Sequence, residues 1–256
     1  MYFDGPKPRI LAHRGLALEH AENTMGAFAA AVATGVEILE TDVHLSKDGQ
    51  VIVAHDPDLK RVAGRPGQVS DFTATELANI DLGFGQGFPT LVEVLETFPN
   101  QKFNIDLKIP TAVDPFVDVV KQLDAHSRLL VASFDEKTRA SAVSKLPGVV
   151  SSAASSTIIE GKLRSWLGLS PDTWTLAPEI QALQVPPVHW GLVLVNPRFV
   201  QAAHRKGLEV HVWTINEPAD MKRLLDMGVD GIVTDRCDLA MEVLGQRNPA
   251  SSQSSA

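Results

Sequence analysis

The stretch "ILETDVHLSKDGQVIVAHD" (residues 38–56) sets Glu40, Asp42 and His44 at alternate positions among Ile, Leu, Thr and Val, turns at Asp48-Gly49, and returns to His55. Aliphatic and β-branched residues at this density define a strand, whose alternate residues share a face. Glu40 and Asp42 therefore project together, about 6.6 Å apart at Cα. Two carboxylates so close repel, and burying them without a partner raises at least one pKa. A hard divalent cation would satisfy both through oxygen ligation. The Asp-Gly turn closes a hairpin that carries His55 back toward the same strand end. A lone acid is most often exposed or caps a loop, so the flanks decide what this pair means.

Outward from this stretch, short β-branched runs alternate with helical patterns along most of the chain. Strand candidates lie at 9–15, 36–45, 103–108, 128–134, 148–154, 182–186, 208–215 and 230–235. Helix starts are signalled by Asn23, by the capping box Thr90 and Glu93, by Asp135, by Asn196-Pro197 and by Pro218. Eight β/α units in this length predict an α/β fold, a (β/α)8 TIM barrel, with a doubly wound open sheet as the alternative. A barrel places its chemistry where strands end and loops begin, at the C-terminal face. One segment breaks the rhythm: residues 57–88, rich in Gly and turn formers, form a small insertion after the second strand, with a capping box at Thr73 and Glu76. Its length and position favour a lid. The expected organisation is one barrel domain over 1–248 and a small, polar, flexible tail at 249–256.

Composition narrows the function. A net charge of -8 leaves no basic footprint for nucleic acid. The single Cys237 rules out an internal disulfide or a cysteine-built metal site, and suits a reducing, cytoplasmic setting. The first residues carry no secretory pattern, and no apolar run reaches the length of a membrane span.

The first strand ends in "AHRG", with His13 and Arg14; the third ends in "NIDLK", with Asp106 and Lys108. Side by side in a barrel, these ends converge on one mouth. "AHRG", "ENT" (22–24), "LETDVHLSKDGQVIVAHD", "PTLVEVL" (89–95), "NIDLK", "VWTIN" (212–216) and "GVDGIVTD" (228–235), in that order, resemble the glycerophosphodiester phosphodiesterase family along most of the chain. The resemblance implies a TIM barrel with a small inserted subdomain, one bound divalent cation, and hydrolysis of a small-molecule glycerophosphodiester to glycerol 3-phosphate and an alcohol. It also implies Glu40, Asp42 and Asp106 as metal ligands, His13 and His55 as the acid/base pair, and Arg14 and Lys108 as phosphate contacts. All-oxygen ligation favours Mg2+ or Ca2+. The family usually has Glu where this chain has Asp106, and commonly Pro where it has Ala21.

The set is electrically coherent. With neutral histidines, the three carboxylates, a divalent cation, Arg14, Lys108 and a singly charged diester balance; without the cation the site is negative and should bind substrate poorly. One imidazole would deprotonate the nucleophile and the other protonate the leaving oxygen. The nucleophile is left open between the substrate's own glycerol hydroxyl and water, and so is the order of the histidines. Trp213 is expected to wall the glycerol side, with Phe134 facing it or packing in the core. His44 is expected beyond the mouth as a supporting or exposed residue; His20, His126, His189, His204 and His211 read as ordinary histidines. Residues 158–170 read as a barrel helix or as an apolar wall for acyl chains. The competing functions are a lysophospholipase D-like or sphingomyelinase D-like lipid phosphodiesterase, a Schiff-base aldolase using Lys108, and a non-catalytic phosphoester-binding barrel.

Overall fold

The computed structural model describes residues 1–154, 176–189 and 191–247; the readings for 158–170 and for the tail lie outside them. Eight parallel strands close on themselves: β1 (Arg9–His13), β2 (Ile38–Leu45), β4 (Lys102–Leu107), β5 (Leu129–Ala132), β6 (Val150–Ser152), β7 (Ile180–Val185), β10 (Glu209–Val212) and β11 (Gly231–Thr234). β1 pairs with both β11 and β2, so the ring has no edge. The (β/α)8 expectation holds and the open sheet does not.

Each barrel strand is buried on both faces, which explains the nearly unbroken apolar runs. Leu39 and Val43 of β2, Phe103, Ile105 and Leu107 of β4, and Leu129 and Val131 of β5 belong to the core shared with the surrounding helices. The alternate residues Leu11, Ile38, Leu130, Ala132, Ala182 and Val233 fill the lumen, where Tyr2 joins them. The helices begin where the caps predict: Thr90 and Glu93, Thr73 and Glu76, Asp135, and Asn196 before Pro197 all make their capping contacts. The first helix, α1 (Met25–Ala33), differs by one residue. Thr24 caps it, which leaves the Asn23 side chain for another use.

The hairpin read from Asp48-Gly49 is present. β3 (Val51–Val53) runs antiparallel to the end of β2, with Val43 opposite Val53. Gly49 has φ +79° at the turn, where a side chain would be strained. The insertion is not a loose cover. Ile52, Ala54, Leu59, Val69, Leu77, Ile80, Leu82 and Phe88 form a small core of their own, around α2 (Lys60–Ala63) and α3 (Ala74–Ala78). A packed core of this kind makes it a small subdomain. A short hairpin of β8 (Val188–His189) and β9 (Leu192–Val193), which the sequence pattern did not reveal, follows β7.

Candidate active site

Strand register assembles the mouth. His13 stands level with Glu40 across β1 and β2, and Asp42 stands level with Asp106 across β2 and β4. Inward-pointing positions at one height thus bring together acids and an imidazole from three chain segments. β3 supplies the fourth: Ala54 N–H donates to Asp42 O at 3.0 Å, which sets His55 at the same level. A cavity of about 240 Å³ opens here, lined by His13, Arg14, Glu40, Asp42, His55, Asp106, Lys108, Phe134 and Trp213 among others. All nine residues expected at the site are therefore in one place.

Most of them sit at or just beyond strand ends. Arg14 follows β1 with φ 57°, a left-handed conformation costly for a residue with a Cβ. Its backbone is fixed on both sides, since Arg14 N–H donates to Glu40 O (2.9 Å) and Asn23 N–H donates to Arg14 O (2.9 Å). The Asn23 side chain, freed from capping, accepts from Thr41 Oγ1 at 2.8 Å and donates to Asp42 Oδ2 at 3.4 Å. Gly15 is required beside it, because a Cβ there would lie 2.6 Å from the Ala27 backbone.

Each of the two histidines is backed by an aspartate. His13 Nδ1 lies 2.6 Å from Asp235 Oδ1, and His55 Nδ1 lies 2.6 Å from Asp56 Oδ1. Burial opposes the charge on Asp235, but His13 and Asn216 outweigh it and hold the carboxyl below its usual range. Asp56 behaves alike, with Arg61 and His55 outweighing burial. Two ionised acceptors make Nδ1–H the donor in each pair, which leaves Nε2 to exchange protons. Burial opposes a proton on His13 too, but Glu40 and Asp235 overcome it and raise its pKa. Neither aspartate had been singled out from the sequence. Both lay in quoted motifs, "AHD" and "IVTD", where adjacency and the barrel's closure were the available signals.

The acids are short of positive charge. Burial and then Asp42 push Glu40 up to about 8, and burial also raises Asp106. Lys108 Nζ lies 2.7 Å from both Asp42 Oδ1 and Asp106 Oδ2. Arg14 Nε lies 3.3 Å from Asp42 Oδ2. Yet Asp106 Oδ1 and the neighbouring Asn104 Oδ1 are buried without a hydrogen-bond partner. An all-oxygen set with an orphaned carboxylate oxygen suits a hard cation in its chemistry. Its arrangement is not that of a finished ligand cage: Lys108 stands between Asp42 and Asp106, and among the described residues no three His, Cys, Asp or Glu converge as a metal-binding group.

Phe134 is 61% exposed and meets Trp213 edge to face, with centroids 6.0 Å apart. Both aromatics therefore stand at the mouth, and Phe134 is not a core residue. His44 is buried, with Nε2 3.1 Å from His55 O, so it braces the returning hairpin and is neither an exposed residue nor a cavity-lining one. His204 and His211 pair with Asp230 and Glu209 at the opposite end of the barrel. Lys108, with burial opposing its charge but two carboxylates outweighing burial, has a raised pKa. With its Nζ tied to two carboxylates, Lys108 is poorly set for Schiff-base attack.

The C-terminal mouth of this parallel barrel gathers two aspartate-backed histidines, two cationic side chains and buried acids around one cavity, an arrangement suited to a small anionic ligand. The glycerophosphoryl diester phosphodiesterase family model matches residues 13–239. The chain belongs to that family and is a phosphodiester hydrolase of its class. It is 37% identical over 240 residues to the "probable glycerophosphodiester phosphodiesterase 2" of Mycobacterium tuberculosis, covering 91% of this chain and 89% of that protein. Lysophospholipase D GDPD1 of Mus musculus is 30% identical, covering 89% of this chain and 83% of that protein. Among solved structures, the glycerophosphodiester phosphodiesterase of Agrobacterium tumefaciens superposes with a TM-score of 0.77 at 25% identity, covering 93% of this chain and 99% of that one. That of Thermotoga maritima gives 0.71 at 27% identity with the same coverage. No helix among the described residues is long and apolar enough to cross a membrane.

Proposed function

We propose that the protein hydrolyses glycerophosphodiesters to glycerol 3-phosphate and an alcohol, with His13 and His55 as acid and base and one divalent cation, Mg2+ or Ca2+, held by Glu40, Asp42 and Asp106. The observation that carries this reading is the pair of imidazoles, each with Nδ1 tied to an aspartate, facing one cavity that also holds Arg14 and Lys108. A phosphodiester shields its phosphorus with negative oxygens, so attack requires those charges to be met first. Arg14 offers a planar guanidinium and Lys108 a point charge for this purpose. A divalent cation, when bound, supplies Lewis-acid polarisation of a phosphoryl oxygen. One Nε2 then takes the proton of the attacking hydroxyl while the other Nε2 gives one to the departing alkoxide. Trp213 and Phe134 form the apolar side of the cavity, against which a glycerol backbone packs.

A second substrate class, lysophospholipids, is favoured by that apolar side, which also includes Ala153, Pro186 and Leu194, and by the lysophospholipase D among the relatives. Release of glycerol 3-phosphate from a panel of glycerophosphodiesters, run beside lysophosphatidylcholine with Mg2+, Ca2+ or EDTA, tests both. The expected result is turnover of glycerophosphocholine that EDTA abolishes. No hydrolysis of any panel member with either cation would overturn the reading.

A further inference from the structure

The inserted subdomain places no side chain on the wall of the main cavity among the described residues, but Arg61 of α2 reaches the groups behind it. Its Nε lies 2.5 Å from Asp56 Oδ2, its Nη1 2.9 Å from Glu22 Oε2 and its Nη2 2.7 Å from Glu22 Oε1. Glu22 Oε1 also accepts from Arg14 Nη1 at 3.0 Å. Asp56 spends its other oxygen on His55 Nδ1. A chain of alternating charge thus runs Arg14, Glu22, Arg61, Asp56, His55. It joins a cavity-lining guanidinium that follows β1 to a cavity-lining imidazole that follows β3.

We propose that Arg61 is a positioning residue for the hydrolysis: it orients Arg14 through Glu22 and His55 through Asp56, so that the insertion works as a strut on the active site. The inference rests on the roles given above to Arg14 and His55. The geometry asks for arginine, because a planar fork can meet two carboxylates at once along three N–H directions, whereas a lysine ammonium is a single compact centre. Both acids depend on it. Burial works against the charge of Glu22, and Arg61 with Arg14 outweighs it; Asp56 has Arg61 and His55. Without Arg61, Glu22 retains Arg14 as a monodentate partner, Asp56 retains His55, and both side chains gain rotational freedom. A loosened imidazole lowers turnover, and a loosened guanidinium weakens the hold on phosphate. Because Arg61 is half exposed, its loss should leave the fold standing.

The test compares R61A, R61K, E22Q and D56N with wild type in kcat, KM and thermal midpoint, and measures inorganic phosphate binding by calorimetry on the same proteins. R61A should lose about 10- to 100-fold in kcat/KM, the size expected for a residue that orients others, divided between a higher KM and a lower kcat. E22Q should act mainly on KM and D56N mainly on kcat. R61K should recover part of the loss, and R61A combined with E22Q should lose less than the product of the two. Phosphate should bind several-fold more weakly to R61A. R61A within twofold of wild type in both kcat and KM, or a deficit that disappears once the folded fraction is counted, overturns the proposal. If the wild type cleaves no glycerophosphodiester, the functional reading fails separately. The phosphate titration then decides for Arg61, with equal affinity in wild type and R61A counting against it.

Discussion

The two ends of the barrel both bury charge, and they treat it in opposite ways. At the N-terminal end Arg9 donates to both oxygens of Glu209, at 2.8 and 3.0 Å. Lys7 Nζ lies 3.1 Å from Glu209 and 2.9 Å from Asp230, and His211 and His204 pair with the same two acids. Burial works against the charge on Glu209, but His211 and Arg9 outweigh it and hold its pKa at about 2. At the C-terminal mouth the balance fails. Glu40 is pushed up to about 8 by burial and Asp42, and an oxygen of Asp106 is buried without a partner. At the floor each acid has basic partners, with only the second ring nitrogen of His211, among the described residues, buried unpaired in that network, and the ion pairs close the barrel. The mouth keeps an excess of acid that the chain does not neutralise, which is the pattern of a site built for something brought from outside.

The contrast predicts that substitutions at the mouth cost activity while those at the floor cost stability. The largest effect belongs to the histidines. H13A or H55A should lower kcat by about 10² to 10⁴ with an unchanged circular-dichroism spectrum; both variants within tenfold of wild type would remove them from the mechanism. At the floor, E209Q strands the buried Arg9 and should destabilise the protein by about 3–5 kcal/mol, measured by urea unfolding, with kcat preserved in the folded fraction. The same variant has a pH signature. Because the folded pKa of Glu209 lies below its ordinary value, its contribution is complete above about pH 4.5 and is lost as pH falls through about 2. The stability gap between wild type and E209Q should therefore be constant near neutrality and narrow across that acidic window. A gap that widened on acidification would contradict the assignment. A smaller effect, about 10- to 100-fold in kcat, is expected for D235N, which keeps the shape of the His13 partner but removes its charge. An unchanged pH–rate profile in D235N would show that Asp235 does not set the state of His13.

The parts legible in the sequence are those written in local pattern. All eight barrel strands, the Asp48-Gly49 hairpin and most caps follow from periodicity and turn chemistry, because those depend on neighbours within a few residues. The nine residues expected at the site stand in or near the short motifs that carry the family resemblance, and the barrel gathers them around one cavity. What escaped depends on closure. Asp235 reaches His13 only because β11 returns to pair with β1, and no spacing in the chain states that. Arg61 meets Glu22 only because the insertion folds back on its own core. Lys108, read as a phosphate contact, also stands between Asp42 and Asp106, since its strand is level with β2. Thr24 takes the capping role expected of Asn23 because the capping rule accepts either residue, and packing chooses.

The proposal tested most directly is that Glu40, Asp42 and Asp106, three acids with only Lys108 and Arg14 between them, receive a divalent cation. Titrating Mg2+ or Ca2+ into EDTA-stripped enzyme while following the thermal midpoint reads this without reference to turnover, since a ligand that binds only the folded state must raise it. The account predicts a saturable rise in wild type and E209Q that is abolished in E40Q and D42N. A midpoint in wild type that neither cation moves, or a rise that persists unchanged in E40Q and D42N, would contradict it.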